Sequence, residues 1–112
     1  MNFIRWVKSW LSRRGHALAE YRSGIEKANQ HDYHGAIAHY TAAIKAEDTP
    51  DDVRAMATYN RALAYSAIHE LKKAANDLDA VLKMPGISKK IETAALRRRE
   101  RVRQRAEREE HK

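Results

Sequence analysis

The most constraining feature of this sequence is a hydrophobic pattern that occurs twice, at a constant offset and without a gap. When the chain is shifted so that Ala17 falls on Ala55, small residues fall on small residues and large apolar residues fall on large ones. The offset is 38 residues, and we call it the repeat period. The superimposed pairs include Ala17 and Ala55, Leu18 and Met56, Tyr21 and Tyr59, Ile25 and Leu63, Ala36 and Ala74, Tyr40 and Leu78, and Ile44 and Leu82. A fixed period of this size indicates stacked supersecondary units, each unable to bury its apolar face alone.

Each unit contains two amphipathic segments. In the second unit, apolar residues recur at helical spacing over residues 59 to 65 and again over residues 71 to 82. The middle of each stripe holds a small residue, namely Gly24, Ala36, Ala62 and Ala74. Since two helices approach closely only where side chains are small, we expect these four residues at helix contacts. The unit is therefore predicted to be a helix hairpin.

This pattern resembles the tetratricopeptide repeat, a 34-residue motif with small and aromatic residues at set positions. The residues that carry the resemblance are Gly24, Tyr33, Ala36, Ile37, Tyr40, Ala43 and Ile44 in the first unit, and Tyr59 to Tyr65, Ala74, Ala80 to Leu82 and Pro85 in the second. The resemblance covers about residues 17 to 86. It implies an all-α fold in which antiparallel helix hairpins stack as a short α-solenoid. The four extra residues per period are expected in the polar run 47 to 52, because lengthening a surface turn costs little.

The helix signals divide the chain into three parts. Residues 1 to 15 are predicted to form a basic amphipathic helix that stops at Gly15. Residues 16 to 86 should form the two hairpins, 16 to 48 and 51 to 86. Residues 87 to 112 should form a basic capping helix whose apolar stripe thins out, so the part beyond Val102 is expected to project or fray.

Three residues are predicted to cap helices. Asp32 should cap the helix that starts at Tyr33, and Ser88 should cap the last helix. Thr49 is expected to be the N-cap of the third helix, with Pro50 at its first helical position.

Composition excludes several functional classes. The chain has no cysteine, so neither a disulfide nor a thiolate metal site is available, and a cytoplasmic location fits. His31, His34 and His39 span a turn and a helix start without acids to complete a metal site. There is no glycine-rich phosphate loop and no nucleophile turn, and the carboxylates are expected in caps and on exposed faces. We therefore expect no catalytic residue, no metal and no cofactor.

The net charge of +7 is concentrated at the two ends of the chain. Residues 1 to 19 carry four basic and no acidic residues, and residues 97 to 112 carry eight basic and four acidic ones. The arginine-rich stretch 97 to 108 could contact nucleic acid, but the interleaved acids favour a solvated, salt-bridged helix.

Three interpretations of the first segment stay open. Its apolar face could pack on the repeats, within a monomer or across a homodimer. It could instead bind an anionic membrane surface through Phe3, Trp6, Val7, Trp10 and Leu11. The absence of acids before Glu20 also permits a cleaved targeting peptide. Charges interrupt the apolar run too often for it to span a membrane.

The resemblance implies a function in protein–protein interaction. Tetratricopeptide proteins generally bind peptides in a concave groove lined by the first helix of each unit. The corresponding positions here are Leu18, Tyr21, Ile25, Asn29, Met56, Tyr59, Asn60, Leu63 and Ala67. The lysines and asparagines with which chaperone-binding members clamp a terminal carboxylate are mostly missing, and the third helix shows no convincing basic pair. The expected activity is that of a scaffold or adaptor for a peptide or amphipathic helix. Residues 3 to 14, in cis or from a second copy, are one candidate occupant.

Overall fold

The computed structural model describes residues 3 to 111, except for the side chains of residues 6 to 14, and this range is all-helical. Its helices are α1 (Phe3–Asn29), α2 (Tyr33–Lys45), α3 (Asp51–Ala67), α4 (Leu71–Leu82) and α5 (Lys89–Glu110). The helix bounds follow the repeat period: α2 and α4 start at equivalent positions, as do α3 and α5, and α1 and α3 end at equivalent positions. The predicted all-α class is confirmed.

Neighbouring helices in the sequence are also neighbours in space. Each helix packs against the next, and α3 additionally contacts α1 and α5. Turns of three residues, 30 to 32 and 68 to 70, join α1 to α2 and α3 to α4. Because such short connections leave no room for a crossover, the helices of each pair are antiparallel. The first helices of the two pairs and α5 therefore lie side by side.

Two apolar clusters form the core. The first lies among α1, α2 and the start of α3, and the second lies among α3, α4 and α5. Residues at the centre of each hairpin are equally buried: Ala36 and Ala74 are 0% exposed, and Tyr40 and Leu78 are 1% exposed. The repeat in the sequence is thus a repeat of burial, and burial of apolar surface is what holds such helices together.

Gly24 marks the closest approach of α1 to α2. A Cβ atom at this position would lie 2.4 Å from Cε1 and 2.5 Å from Cδ1 of Tyr40, far inside ordinary carbon contact distance. In the second hairpin, Ala62 takes the position of Gly24 and Leu78 takes the position of Tyr40. The residue on the first helix is therefore larger there, and the residue on the second helix is smaller. The expectation that these small residues lie at helix contacts is confirmed.

The turns within the two hairpins share one backbone conformation. His31 and His69, at equivalent positions, have positive φ angles of 62° and 66°. In both turns the amide after the histidine donates to the carbonyl five residues earlier, at 2.9 Å, which closes a Schellman motif. Histidine in this left-handed region costs about 1 kcal/mol or more relative to glycine.

Two of the three predicted caps are confirmed. The Asp32 carboxylate accepts a hydrogen bond from the Gly35 amide at 2.9 Å, and the Ser88 hydroxyl accepts one from the Ile91 amide at 3.2 Å. Each thereby satisfies an amide that the first turn of a helix leaves unpaired.

The predicted role of Thr49 is wrong. Pro50 is the N-cap of α3, which begins at Asp51, and no side chain caps it. Thr49 is only 5% exposed, and its hydroxyl donates to the Ala43 carbonyl at 2.6 Å. It satisfies the end of the preceding helix, where Arg54 also donates to carbonyl oxygens. The last carbonyls of a helix need such donors as much as the first amides need acceptors.

The predicted helix stop at Gly15 is also wrong, because α1 continues from Phe3 to Asn29. An interior glycine costs a helix about 1 kcal/mol relative to alanine, which is too little to end it without a second signal. A continuous helix carries residues 3 to 14 away in line with α1, so they cannot fold back onto the groove in cis. The packing of the side chains of residues 6 to 14 lies outside the described residues. Among the described residues, no helix has the length and apolar character needed to cross a bilayer.

The end of the chain packs more fully than predicted. Helix α5 continues to Glu110, and Ala106 joins the second core cluster beyond Val102. Arg105 donates to the Ser66 hydroxyl at 2.7 Å and lies 3.0 Å from the His69 ring. These contacts tie α5 to the turn between α3 and α4, so this part of the helix does not project.

Candidate functional site

A concave surface of about 410 Å³ opens between the C-terminal halves of α1 and α3, with α5 on its far side. Its lining residues are Ile25, Ala28, Asn29, Tyr33, Tyr40, Asn60, Leu63, Ala64, Ala67 and Arg98. Most of them are apolar, two are amides and one is charged. A concave apolar surface with a few convergent polar groups is the usual form of a binding site.

The structure brings five of the nine predicted groove residues together in this pocket. They are Ile25, Asn29, Asn60, Leu63 and Ala67. Ile25 and Leu63 are equivalent in the repeat, as are Asn29 and Ala67, so α1 and α3 present matching faces to the same space. The repeat is what places them side by side.

The other four predicted residues do not line the pocket. Tyr21 is only 8% exposed and belongs to the first core cluster, against which Leu18 packs. Tyr59 is partly buried against the second cluster, and Met56 is 37% exposed. These residues support the helices behind the groove or lie beside it.

Tyr21 nevertheless acts on the groove through Asn60. The Asn60 amide nitrogen donates to the Tyr21 hydroxyl at 3.0 Å and to the Met56 carbonyl at 2.9 Å. Both bonds fix the orientation of the amide. Burial raises the pKa of Tyr21, and the hydrogen bond from Asn60 opposes that rise in part.

The buried Tyr40 ring forms the floor between α1 and α3. Its centroid lies 6.0 Å from that of Tyr21, with the two rings tilted by 42°. Burial, followed by the proximity of Tyr21, raises the pKa of Tyr40 to about 12. The ring lies directly against Gly24, where a side chain on α1 would collide with it.

Arg98 is the charged residue of the pocket, and the groove prediction missed it. It lies one repeat period after Asn60, at the third occurrence of the same repeat position. Extending the repeat into α5 would have found it. Apolar residues become sparse along α5, so the hydrophobic pattern does not show that the repeat continues into this helix.

A buried ion pair behind the groove was also missed. Arg61 donates to both carboxylate oxygens of Asp77, at 2.8 and 2.7 Å, and to the Thr41 hydroxyl at 3.1 Å. The pair raises the pKa of Arg61. Asp77 is 6% exposed, so the expectation that carboxylates lie in caps or on exposed faces is wrong for this residue. Through Arg61, the groove helix α3 is therefore bonded to Asp77 on α4 and to Thr41 on α2.

A second concavity of about 400 Å³ lies between α4 and α5, and it shares no lining residue with the first. Its apolar lining consists of Leu71, Ala75, Val102 and Ala106. Arginines on its rim already have partners within the chain, since Arg99 pairs with Asp79 and Arg103 pairs with Glu100 and Glu107. None of the predicted groove residues lines it.

The described residues contain no group of three or more metal-type ligands. His31 contacts the Tyr33 hydroxyl at 3.0 Å, and His39 contacts Glu20 at 2.8 Å. Comparison of the chain with protein-family models, with curated proteins and with solved structures found no match. The similarity to tetratricopeptide repeats thus rests on the residues of this chain.

Proposed function

We propose that this chain is a non-enzymatic interaction module, a tetratricopeptide-like scaffold or adaptor that binds a peptide or amphipathic helix in its groove. The groove is the 410 Å³ concavity lined by α1, α3 and Arg98. One observation carries the proposal: equivalent positions of two repeats, chosen from the sequence, meet in a single concave surface. The order of helix contacts, each helix on the next and α3 on both α1 and α5, supports a stacked arrangement.

The chemistry of the groove suits a peptide. Ile25, Leu63 and Ala64 offer an apolar surface, and the amides of Asn29 and Asn60 can bond to the backbone of an extended or helical segment. Neither nucleophile nor metal is needed for such recognition.

A bulky substitution in the groove tests the proposal. Ala67 is exposed at the end of α3 and lines the pocket, so Ala67→Trp should fill the groove without disturbing the core. Ala80 is exposed on α4 and does not line it, so Ala80→Trp is the matched control. Peptides would be selected from a displayed random library against the wild-type chain, and their affinities measured by fluorescence anisotropy.

We expect Ala67→Trp to weaken the selected peptides by at least about tenfold, because a filled pocket excludes an anchor side chain. Ala80→Trp should bind them as the wild type does. Circular dichroism would establish that both variants are folded. Equal binding by the two variants, or failure to select any peptide, would refute the proposal.

A second candidate function is recruitment to an anionic membrane surface. At the start of α1, Phe3 is 60% and Ile4 is 70% exposed, and no acidic residue occurs before Glu20. Exposed apolar side chains combined with basic residues suit the interface of an anionic bilayer.

Vesicle co-sedimentation tests this candidate. The full chain should sediment with vesicles that contain phosphatidylserine and stay in solution with vesicles of phosphatidylcholine alone. Ile4→Glu should abolish sedimentation, because it places a like charge and a polar group against the anionic surface. Sedimentation that ignores lipid charge, or that survives this substitution, would contradict it.

A further inference from the structure

The arginines of α5 fall into two sets according to their partners. Arg99, Arg103 and Arg105 are engaged with acids or with the turn between α3 and α4. In the part of the chain that the structure describes, Arg97, Arg98, Arg101 and Arg108 have neither an ion pair nor a side-chain hydrogen bond within the protein. Arg108 lies apart from the other three, near the end of the helix. A guanidinium group that the fold does not use is available to a ligand.

Arg97, Arg98 and Arg101 lie close together on α5, where Arg98 is partly buried and the other two are exposed. They lie one repeat period after Tyr59, Asn60 and Leu63, three of the positions selected for the groove on α3. Arg98 lines the pocket itself, and Arg97 and Arg101 lie one residue before it and three after it. The pocket position that holds the neutral amide of Asn60 in α3 therefore holds the cation of Arg98 in α5.

No carboxylate offsets this charge within the pocket, since Arg98 is the charged member of its lining. On α1, the position equivalent to Asn60 and Arg98 is occupied by Arg22, which is exposed. Four of the five acids of α5 have partners elsewhere: Glu92 contacts Lys89, Glu100 and Glu107 bind Arg103, and Glu109 contacts His69 at 3.2 Å. The groove thus has a largely apolar lining, and the charge in it is the guanidinium of Arg98 on the wall formed by α5.

We propose that the groove selects an acidic peptide segment, with an apolar side chain in the pocket and carboxylates on Arg98 and its neighbours. This inference rests on the proposed groove function and adds the charge of the partner. Charge-assisted bonds from guanidinium to carboxylate are strong and directional, so they give specificity as well as attraction. The N-terminal segment of a second copy carries four basic residues and no acid over residues 1 to 19, and like charge disfavours it as occupant.

A short acidic segment also suits the site better than a nucleic acid does. Four acidic residues lie among the basic ones in residues 97 to 112, and they would repel a continuous line of phosphates. A peptide held in the groove needs to meet only the wall around Arg98.

A charge series of synthetic peptides tests the inference on the full chain. Three fluorescein-labelled peptides would share one pattern of leucines and carry glutamates, glutamines or lysines between them. We expect the acidic peptide to bind at least about tenfold more tightly than the neutral one, with the basic peptide weakest. Raising the salt concentration should weaken the acidic peptide most.

Arg98→Gln should reduce the affinity of the acidic peptide by about tenfold and that of the neutral peptide by much less, since only the former needs a cation. Arg108→Gln is the matched control. Arg108 is a further arginine of α5 that lies outside the pocket lining, so its loss should change neither affinity.

The outcomes separate the inference from the function on which it rests. If the acidic and neutral peptides bind equally and Ala67→Trp abolishes both, the groove binds peptides but the charge preference is refuted. If Arg108→Gln and Arg98→Gln weaken the acidic peptide equally, the attraction is diffuse and the wall at Arg98 is refuted. If single-stranded oligonucleotide displaces the acidic peptide at equal or lower concentration, the arginines serve phosphates instead. Binding by none of the peptides overturns both proposals.

Discussion

Two glycines of α1 provide a stringent test of the helix packing, because the same substitution should have opposite effects at each. Alanine is favoured over glycine in a helix interior by about 1 kcal/mol. At Gly15 an added Cβ meets none of the described atoms within 4 Å, so Gly15→Ala should raise the free energy of unfolding by up to about that amount.

At Gly24 the same gain is opposed by a clash. The new Cβ would lie 2.4 Å from the Tyr40 ring, whereas carbon atoms in contact are about 3.5 to 4.0 Å apart. Tyr40 is 1% exposed, so α1 and α2 must separate by roughly 1 Å or more along this contact. Overpacking of a core costs about 1 to 3 kcal/mol. With a clash this short we expect the upper part of that range, and Gly24→Ala should lower stability by about 1 to 2 kcal/mol net.

Urea and thermal unfolding of the two variants measure this difference, with about 4 °C in Tm expected per kcal/mol in a domain of this size. A rescue variant sharpens the test. Gly24→Ala combined with Tyr40→Leu reproduces the Ala62 and Leu78 combination of the second hairpin. The double variant should be more stable than the two single changes predict when added, by about 1 kcal/mol or more. Equal effects of alanine at Gly15 and Gly24, or strict additivity in the cycle, would refute the close packing of α1 on α2.

Three further predictions follow from the buried groups and the turns. Arg61→Met should lower stability by about 3 kcal/mol in urea unfolding, since it leaves the Asp77 carboxylate buried without its partner, and a loss below about 1 kcal/mol would show that water reaches the pair. His31→Gly should raise Tm, because glycine adopts the positive φ without the cost of about 1 kcal/mol that histidine incurs there. His69→Gly should gain less, as it gives up the contacts of His69 with α5; equal gains would contradict those contacts. The Tyr40 pKa of about 12 lies above its ordinary value of 10.0, so its contribution to stability is fully present below pH 10 and is lost as pH rises toward 12. Tyr40→Phe should not show this loss between pH 10 and 12 in unfolding measurements, and identical pH profiles for the two proteins would contradict the burial of the hydroxyl.

The repeat made most of the helix arrangement predictable. Small residues in equivalent positions, such as Ala36 and Ala74, located the contacts between helices, because close approach is possible only there. Asp32 and Ser88 located helix starts, since each side chain is suited to accept from an amide two or three residues on. Such local signals act over one or two turns, which is why they can be read from the chain alone.

The missed features depend on partners that are distant in the sequence. Thr49 has the chemistry of an N-cap, but its hydroxyl donates to the Ala43 carbonyl of the preceding helix instead of accepting from an amide of α3. Asp77 has the residue type of a surface acid, and its partner Arg61 lies on another helix. These outcomes depend on three-dimensional neighbours, so residue type alone could not predict them.

Some groove residues follow from the repeat in the sequence, and the positions of others depend on the packing of the helices. Ile25 and Leu63 followed from the repeat, whereas Tyr21 proved to be buried beneath the surface that it was expected to line. The first helix of a hairpin turns one stripe inward and another toward the groove, and Tyr21 lies at the boundary between them. Arg98 was missed because the apolar signal fades in α5 while the register continues.

The measurement that tests the central claim most directly is a map of amide chemical shifts on addition of the acidic leucine peptide. The side-chain amides of Asn29 and Asn60 report on the groove from α1 and α3, and the backbone amide of Ala75 reports on the concavity between α4 and α5. Occupation of the groove predicts saturable shifts of both asparagine side chains together, with Ala75 unchanged. Shifts confined to Ala75 and its neighbours, or no saturable shift at either asparagine, would contradict a peptide-binding groove formed by the repeat.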